Sequence, residues 1–555
     1  MEESTSIGST PQNDSVTRLF SMRNTARAIV IAIGAVTAWH WRFYVNPDAV
    51  GYYDVADTFL ARGWFAAIHT HRDPIFPVLL AAANRLFHVT PYWESTAAHA
   101  VTFLMYCLAF LALEFLLARL GNAMLVPIGY ALFLWGCNFA SESGPSVLAP
   151  DLLVAADVFV ASALIARIAA GSRGWTTYAA LGATLGFGYL SKEAMLPIGI
   201  FLLVAATVAG GRRALPRAAL AAVLFAAIAC FYIVPLSMKL GRFSTGESSR
   251  YNLIMWVASA GKPIHARQVI FRDPLIVLYP EGAAPGGYAV HDDLRYWFDG
   301  MRPRFDPHAQ LLRVRQSAGD YFDILRSPLH FALLVIFLAL LFSAKNRIEP
   351  LRRYWFITLP SIATMAMYGT VLVQPRYVAP SLIVFWLALF AGFGVETLRR
   401  AKPLIATAAV AVCVALSIDG DAIAEWRELR QPVRHDNWLL AERLRQSGVR
   451  PGDHVAVVNP PFMSYWARLA KVRIAAEVME PRKFWAAGEG TQEAAVAALE
   501  RAGIRAIIAD DPPDNDAPCF DPVDDTSFLV CFPSVFPTSA ALHDYSRSTD
   551  RRSSP

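Results

Sequence analysis

The sequence predicts a polytopic α-helical membrane protein of about eleven transmembrane helices, followed by an outward-facing C-terminal α/β domain. Three observations carry this prediction. Of the 555 residues 55% are hydrophobic and only 17% charged, too apolar for a soluble domain. Apolar runs of near-spanning length recur along most of the chain. Between them, Lys and Arg gather in alternate short loops.

The runs fall at 26–45, 96–118, 122–141, 150–170, 175–190, 194–209, 214–236, 329–343, 354–373, 377–397 and 403–419. Residues 175–209 read as two short crossings, because one helix of that length would extend about 52 Å through a core of roughly 30 Å. Charge supports the same parity. With the N-terminus cytoplasmic, the inward segments collect Arg18, Arg23 and Arg27, then Arg212, Arg213 and Arg217, then Arg399, Arg400 and Lys402. The short outward turns hold Lys192 and Arg376. The expected organisation is a disordered cytoplasmic tail (1–25), a membrane domain (26–419) with outward loops 46–95 and 237–327, and an extracytoplasmic α/β domain (420–555) with a disordered end. The expected location is the inner (plasma) membrane.

The tail reads as helix Trp438–Gln446, turn Pro451-Gly452-Asp453, strand His454–Asn459, helix Pro461–Ala470, strand Val472–Val478, helix Thr491–Ala502 and strand Ile504–Ala509. Strands alternating with helices predict a parallel sheet. Asn459-Pro460-Pro461 stands where a glycine-rich phosphate fingerprint belongs, so nucleotide binding is not expected. The net charge of +5 forms no continuous basic stripe, which argues against nucleic acid. Cys107, Cys137, Cys230 and Cys413 lie within apolar runs, no CxxC occurs, and Cys519 and Cys531 either pair in an oxidising compartment or stay free thiols.

Candidate functional residues gather at the outer boundary, where ionisable groups near hydrocarbon are costly and tend to be functional. Asp48 opens the first loop, and apolar residues at helical spacing over Ala49–Ala61 and Pro74–Phe87 predict helices along the interface. Tyr52, Tyr53, His71 and Arg72 are candidates to line a cavity there. His69 and His71 lack the i, i+4 spacing of a helical zinc pair, so no metal site is assigned. Asp151, with Asp54, is the candidate second acidic site, orienting an acceptor while Asp48 acts as base. The alternatives are a helix-start acid favoured by the macrodipole for Asp151 and a solvated helix face for Asp54 and Asp57. Lys192, Arg376 and Tyr377 suit a lipid phosphate, since Arg offers a planar fork for two oxygens. The alternative is snorkelling, with Glu193 neutralising Lys192.

Asp48-Ala49-Val50-Gly51-Tyr52-Tyr53-Asp54, Asp73-Pro74-Ile75-Phe76-Pro77, Ala149-Pro150-Asp151, Tyr189-Leu190-Ser191-Lys192-Glu193 and Gln374-Pro375-Arg376-Tyr377-Val378-Ala379-Pro380 come in that order. Together they resemble the GT-C superfamily of integral-membrane glycosyltransferases, in the branch near the protein O-mannosyltransferases and lipid A aminoarabinose transferases. The resemblance covers residues 26–400. It implies Asp48 as the catalytic acid, a sugar donor carried on a polyprenyl phosphate or diphosphate, and a glycan, lipid or protein acceptor. No cofactor is implied with certainty. Ala49 follows Asp48 where an acidic pair would need a second carboxylate, so a divalent metal is unsupported. The competing readings are a polyprenyl-lipid transporter or flippase, which calls for inverted repeats and midplane charges, and a non-catalytic membrane scaffold.

Overall fold

Most of these segments are apolar all round rather than along one stripe, the pattern of helices surrounded by other helices or by lipid. The computed structural model describes residues 11–122, 125–140, 142–258, 268–279, 305–344, 346–393, 402–458, 464–510, 512, 519–524 and 526–533. Leaving aside the short helices Trp64–Ala67, Glu349–Arg352 and Pro481–Ala486, its helices are α1 (Pro11–His40), α2 (Pro47–Arg62), α3 (Ile75–Phe87), α4 (Glu94–Leu120), α5 (Leu125–Leu134), α6 (Asp151–Ala169), α7 (Trp175–Ser191), α8 (Met195–Gly210), α9 (Leu215–Leu240) and α10 (Ser248–Leu253). They continue with α11 (Pro307–Leu325), α12 (Pro328–Ser343), α13 (Trp355–Gly369), α14 (Pro375–Ala391), α15 (Lys402–Ser417), α16 (Gly420–Glu428), α17 (Asp436–Gln446), α18 (Tyr465–Ala470) and α19 (Glu489–Arg501).

Each of the eleven apolar runs contains a helix. Among the described residues three helical stretches are long and apolar enough to cross a membrane, Pro91–Leu120, Asp151–Ala169 and Arg212–Leu240, and α11 with α12 forms a pair bent by 79°. Residues 175–209 form two helices, parted at Lys192, whose backbone is extended. α4 packs along α6, α7 along α9, and α13 along α14. Gly182 lets α7 lie against the α9 backbone at Ala221, an approach that a side chain would block. Two local expectations change. Of the expected disordered tail 1–25, residues 1–10 lie outside the described residues and 11–25 belong to the first turns of α1. The run 122–141 is α5 extended by a single π turn, Trp135–Phe139, rather than one regular helix.

Proline sets three helix starts that matter for the site. Pro47 and Pro375 occupy the first turns of α2 and α14, where a missing N–H costs nothing, and Pro150 immediately precedes α6. Asp48, Arg376 and Asp151 are thereby each placed in the first turn of a helix.

The tail contains β3 (His454–Val458), β4 (Arg473–Val478), β5 (Ala506–Asp510), β6 (Asp521–Pro522) and β7 (Phe528–Cys531). β3 pairs in parallel with both β4 and β5, as the strand–helix alternation predicts. The full sheet is mixed, however. A hairpin of β1 (Gln268–Arg272) and β2 (Leu275–Leu278), from the loop 237–327, adds antiparallel to β4, giving the order β1-β2-β4-β3-β5-β7-β6. The sheet's two faces bury different cores. Val455 and Val457 join the core that runs on into the membrane helices through Leu440, Leu444 and Tyr465, whereas Ala456 and Val458 pack with Ala495 and Leu499 of α19. Cys519 and Cys531 form a disulfide. The Asn459-Pro460-Pro461 turn, Arg399 and Arg400 lie outside the described residues.

Candidate active site

The two acidic segments meet because their flanking backbones are joined. Asn46, immediately before α2, accepts a hydrogen bond from the Leu148 amide, just before α6, at 2.9 Å. The buried His99 ring of α4 reaches the carbonyls of Tyr44 and Pro145, each at 2.8 Å. These bonds hold the end of the first-loop entry against the 143–149 turn, so Asp48 and Asp151 open neighbouring helices on one face.

Asp48 is half-exposed and accepts from the buried Arg72 guanidinium at 3.1 Å. Arg72 lies 5.0 Å over the Tyr52 ring, one turn along α2. Gly51 makes room for it, since a Cβ there would stand 2.9 Å from Arg72 Nε. Burial works against the Arg72 charge, and Asp48 and Tyr52 outweigh it, keeping the guanidinium firmly protonated.

On the other side, Lys192 forms an ion pair with Asp151 and sits 4.0 Å over the Tyr377 ring. Tyr377 stacks on Tyr368 at 5.7 Å, and its hydroxyl accepts from Arg376 Nη2 at 3.1 Å. Arg376 also donates to Gln374 at 3.1 Å and faces Glu142 at 3.5 Å. A cation in the first turn of a helix opposes the macrodipole, so Arg376 depends on these partners. Asp48 and Asp151 both act on it electrostatically, which brings the two halves into one charged cluster. Lys192 is balanced by Asp151, not by its sequence neighbour Glu193 as the sequence suggests.

Glu193 turns inward instead. Its carboxylate accepts from the amides of Ser248 and Ser249 at 2.8 and 3.3 Å and from the Ser249 hydroxyl at 2.7 Å, fastening α10 of the long loop beside the site. Burial raises its pKa, against these bonds. Asp73 lies behind it, and burial, reinforced by Glu193, pushes its carboxyl up to about 8 against the pull of the Glu193 amide, Lys192 and Arg72. Tyr251 of α10 lies near-parallel to His71 at 6.5 Å, pushed up to about 12 by burial and by Asp48. Asp73, Glu193, Glu142, Tyr251 and Tyr368 are thus site neighbours that the sequence reading did not select. Asp73 stood within a quoted motif, but nothing in its spacing signals burial.

Two sequence candidates go elsewhere. Asp54 pairs with Arg468 of the tail at 3.1 Å, and Tyr53 stacks on Tyr465 at 5.8 Å beneath the same guanidinium. They follow Asp48 by five and six positions, which at 3.6 residues per turn rotates them off the Asp48 face. Both are thereby engaged with the tail. Among the described residues no group of three or more His, Cys, Asp or Glu is arranged to hold a metal.

No protein-family model matches the chain, and no curated protein matches it in sequence. Solved structures do. ArnT from Cupriavidus metallidurans bound to undecaprenyl phosphate superposes with a TM-score of 0.51 at 12% identity, covering 92% of this chain and 97% of that one. Its apo form gives 0.50 at 12%, covering 93% and 99%. The Archaeoglobus fulgidus oligosaccharyltransferase in complex with Zn and sulfate gives 0.49 at 15%, covering 87% and 68%. Each chain covers the other almost end to end, so this chain shares its overall fold with ArnT.

Proposed function

We propose that this chain is a membrane glycosyltransferase that moves a sugar from a polyprenyl-phosphate or diphosphate carrier to an acceptor at the outer face of the membrane. The observation that carries the reading is that Asp48, paired with Arg72, and Asp151, paired with Lys192, both act electrostatically on Arg376, with Asp48, Asp151 and Arg376 each in the first turn of a helix. The undecaprenyl phosphate bound by ArnT, which shares the fold, makes a lipid-phosphate donor the natural ligand of such a cationic group.

Asp48 accepts the proton of the acceptor hydroxyl or amine as its heteroatom attacks the anomeric carbon. The bond from that carbon to the phosphate oxygen breaks, and the electron pair leaves with the lipid phosphate. Arg376 and Lys192 stabilise the charge that develops there, held in place by Tyr377 and Asp151 before reaction begins. One displacement inverts the anomeric centre. Asp73, carrying its proton near neutral pH, adds no competing negative charge behind the phosphate. In this reading the apolar helices make eleven crossings of the inner (plasma) membrane, the N-terminus is cytoplasmic, and the tail lies outside.

The test is transfer of radiolabel from polyprenyl-phosphate sugars by wild type and Asp48→Asn in lipid nanodiscs. Wild type transfers, and the variant is slower by about 10² to 10⁴. Equal rates would remove Asp48 from the mechanism, and no transfer by either with any donor in the set would remove the enzyme reading.

A further inference from the structure

The tail reaches α2, the helix that begins with Asp48, through two largely buried side chains of α18, Arg468 and Tyr465. Arg468 of α18 donates to Asp54 at 3.1 Å, to Asp57 at 2.7 Å and to Glu94 at 2.8 and 3.1 Å, and stands 5.0 Å over the Tyr53 ring. Tyr465, on the same short helix, stacks on Tyr53 and donates to Glu94 at 3.2 Å. Asp54 and Glu94 are themselves largely buried. One guanidinium therefore holds together three carboxylates, from α2 and from the start of α4, that repel each other without it. Asp48 and Asp54 are separated by about 9 Å of helix axis, so a rotation or slide of α2 at Asp54 moves Asp48 by a comparable amount.

We infer that Arg468 is a positioning residue: the tail clamps α2 through it and thereby sets where Asp48 stands against Arg72 and the phosphate-facing cations. This rests on the glycosyltransferase reading for its catalytic consequence, but not for its structural part. The tail has a second attachment that bypasses α2. Glu425 of α16 accepts from the Trp41 indole at 2.8 Å, just past α1. Cutting that bond loosens tail docking while leaving the Arg468 clamp in place, so Trp41→Phe is the control.

The experiment measures amide hydrogen exchange over α2 and transfer kinetics for Arg468→Met, Arg468→Lys and Trp41→Phe, with thermal unfolding as a check on folding. Arg468→Met speeds exchange in α2 and lowers kcat by roughly 10- to 100-fold, the cost of a reacting group displaced by about 1 Å. KM for the lipid donor changes little, because Lys192 and Arg376 are untouched. Arg468→Lys recovers part of kcat, and Trp41→Phe changes neither quantity. If Arg468→Met does not fold, the double variant Asp54→Asn with Asp57→Asn, which keeps the Arg468 pairing to Glu94, produces the same two effects. Unchanged α2 exchange overturns the clamp. Faster exchange with unchanged kcat overturns its catalytic role, and an equal loss in Trp41→Phe reduces Arg468 to general docking. A wild type without transfer activity refutes the glycosyltransferase reading, and exchange over α2 then still decides the clamp.

Discussion

Replacing Asp73 by Asn tests whether the buried wall of the site is neutral. The Asp73 carboxyl stands at about 8 in the folded protein against an ordinary 3.8. Between those values the unfolded chain has released a proton that the folded chain keeps, so stability falls as pH rises through this window. From pH 5 to pH 8 the loss amounts to about 4 kcal/mol at 1.36 kcal/mol per unit, and water entering the opened site reduces it to an expected 2 kcal/mol or so. Asn keeps an acceptor for the Glu193 amide and carries no proton to lose. Thermal unfolding of wild type and Asp73→Asn in the same nanodiscs at pH 5 and pH 8 measures this. Wild type should lose a few degrees more than the variant across that interval, and the variant should match or exceed wild type at pH 8. Glu193, also raised, keeps part of the slope in both proteins. A variant less stable than wild type at pH 8 with an unchanged slope would refute the reasoning, because it would mean that Asp73 is ionised and held by Lys192 and Arg72.

Other perturbations address the remaining walls. Tyr377→Phe removes the hydroxyl that accepts from Arg376 but keeps the ring under Lys192; loss of a bond to a charged group should raise KM for the lipid donor roughly tenfold and lower kcat less, and a change confined to kcat would contradict it. Gly51→Val fills the space that Arg72 occupies, and the displaced guanidinium should slow transfer by on the order of tenfold with Asp48 intact; wild-type kinetics would show that the Asp48–Arg72 pair is dispensable. Glu193→Ala releases α10 by removing three accepted hydrogen bonds, each worth about 1 kcal/mol or more, and limited proteolysis in the loop 237–327 should accelerate by at least tenfold; an unchanged cleavage rate would count against this fastening.

The helices of the membrane part were legible because a run of apolar residues leaves the backbone little choice but to satisfy its own polar groups. The break at Lys192 was legible from length alone, since 175–209 is too long for one crossing. In the tail, the β-branched strands around Val455 and Ile507 and the turn at Gly452 marked the β–α alternation. The addition of β1 and β2 from about 200 residues upstream of β4 was not legible: edge pairing is a main-chain event that leaves no periodic trace in either partner. The same holds at the site. Asp48, Asp151, Lys192 and Arg376 stood out as charges at helix ends on one face, a property of local sequence. That Lys192 answers to Asp151 while Glu193 answers to α10 depends on which way two adjacent side chains turn at an extended residue.

By itself, then, the sequence determined where helices run, where they start and which charged groups lie at their ends, because hydrophobic length, proline placement and charge exclusion act through neighbours along the chain. Tertiary structure alone decided which of those groups meet. Asn46 joins Leu148 across 102 positions, and Arg468 gathers Asp54, Asp57 and Glu94 from more than 370 positions away, so a charge that looks like a solvated helix face in the sequence is buried in a clamp. The physical reason is desolvation: once packing removes water from a charged side chain, it must find an opposite charge wherever the fold supplies one.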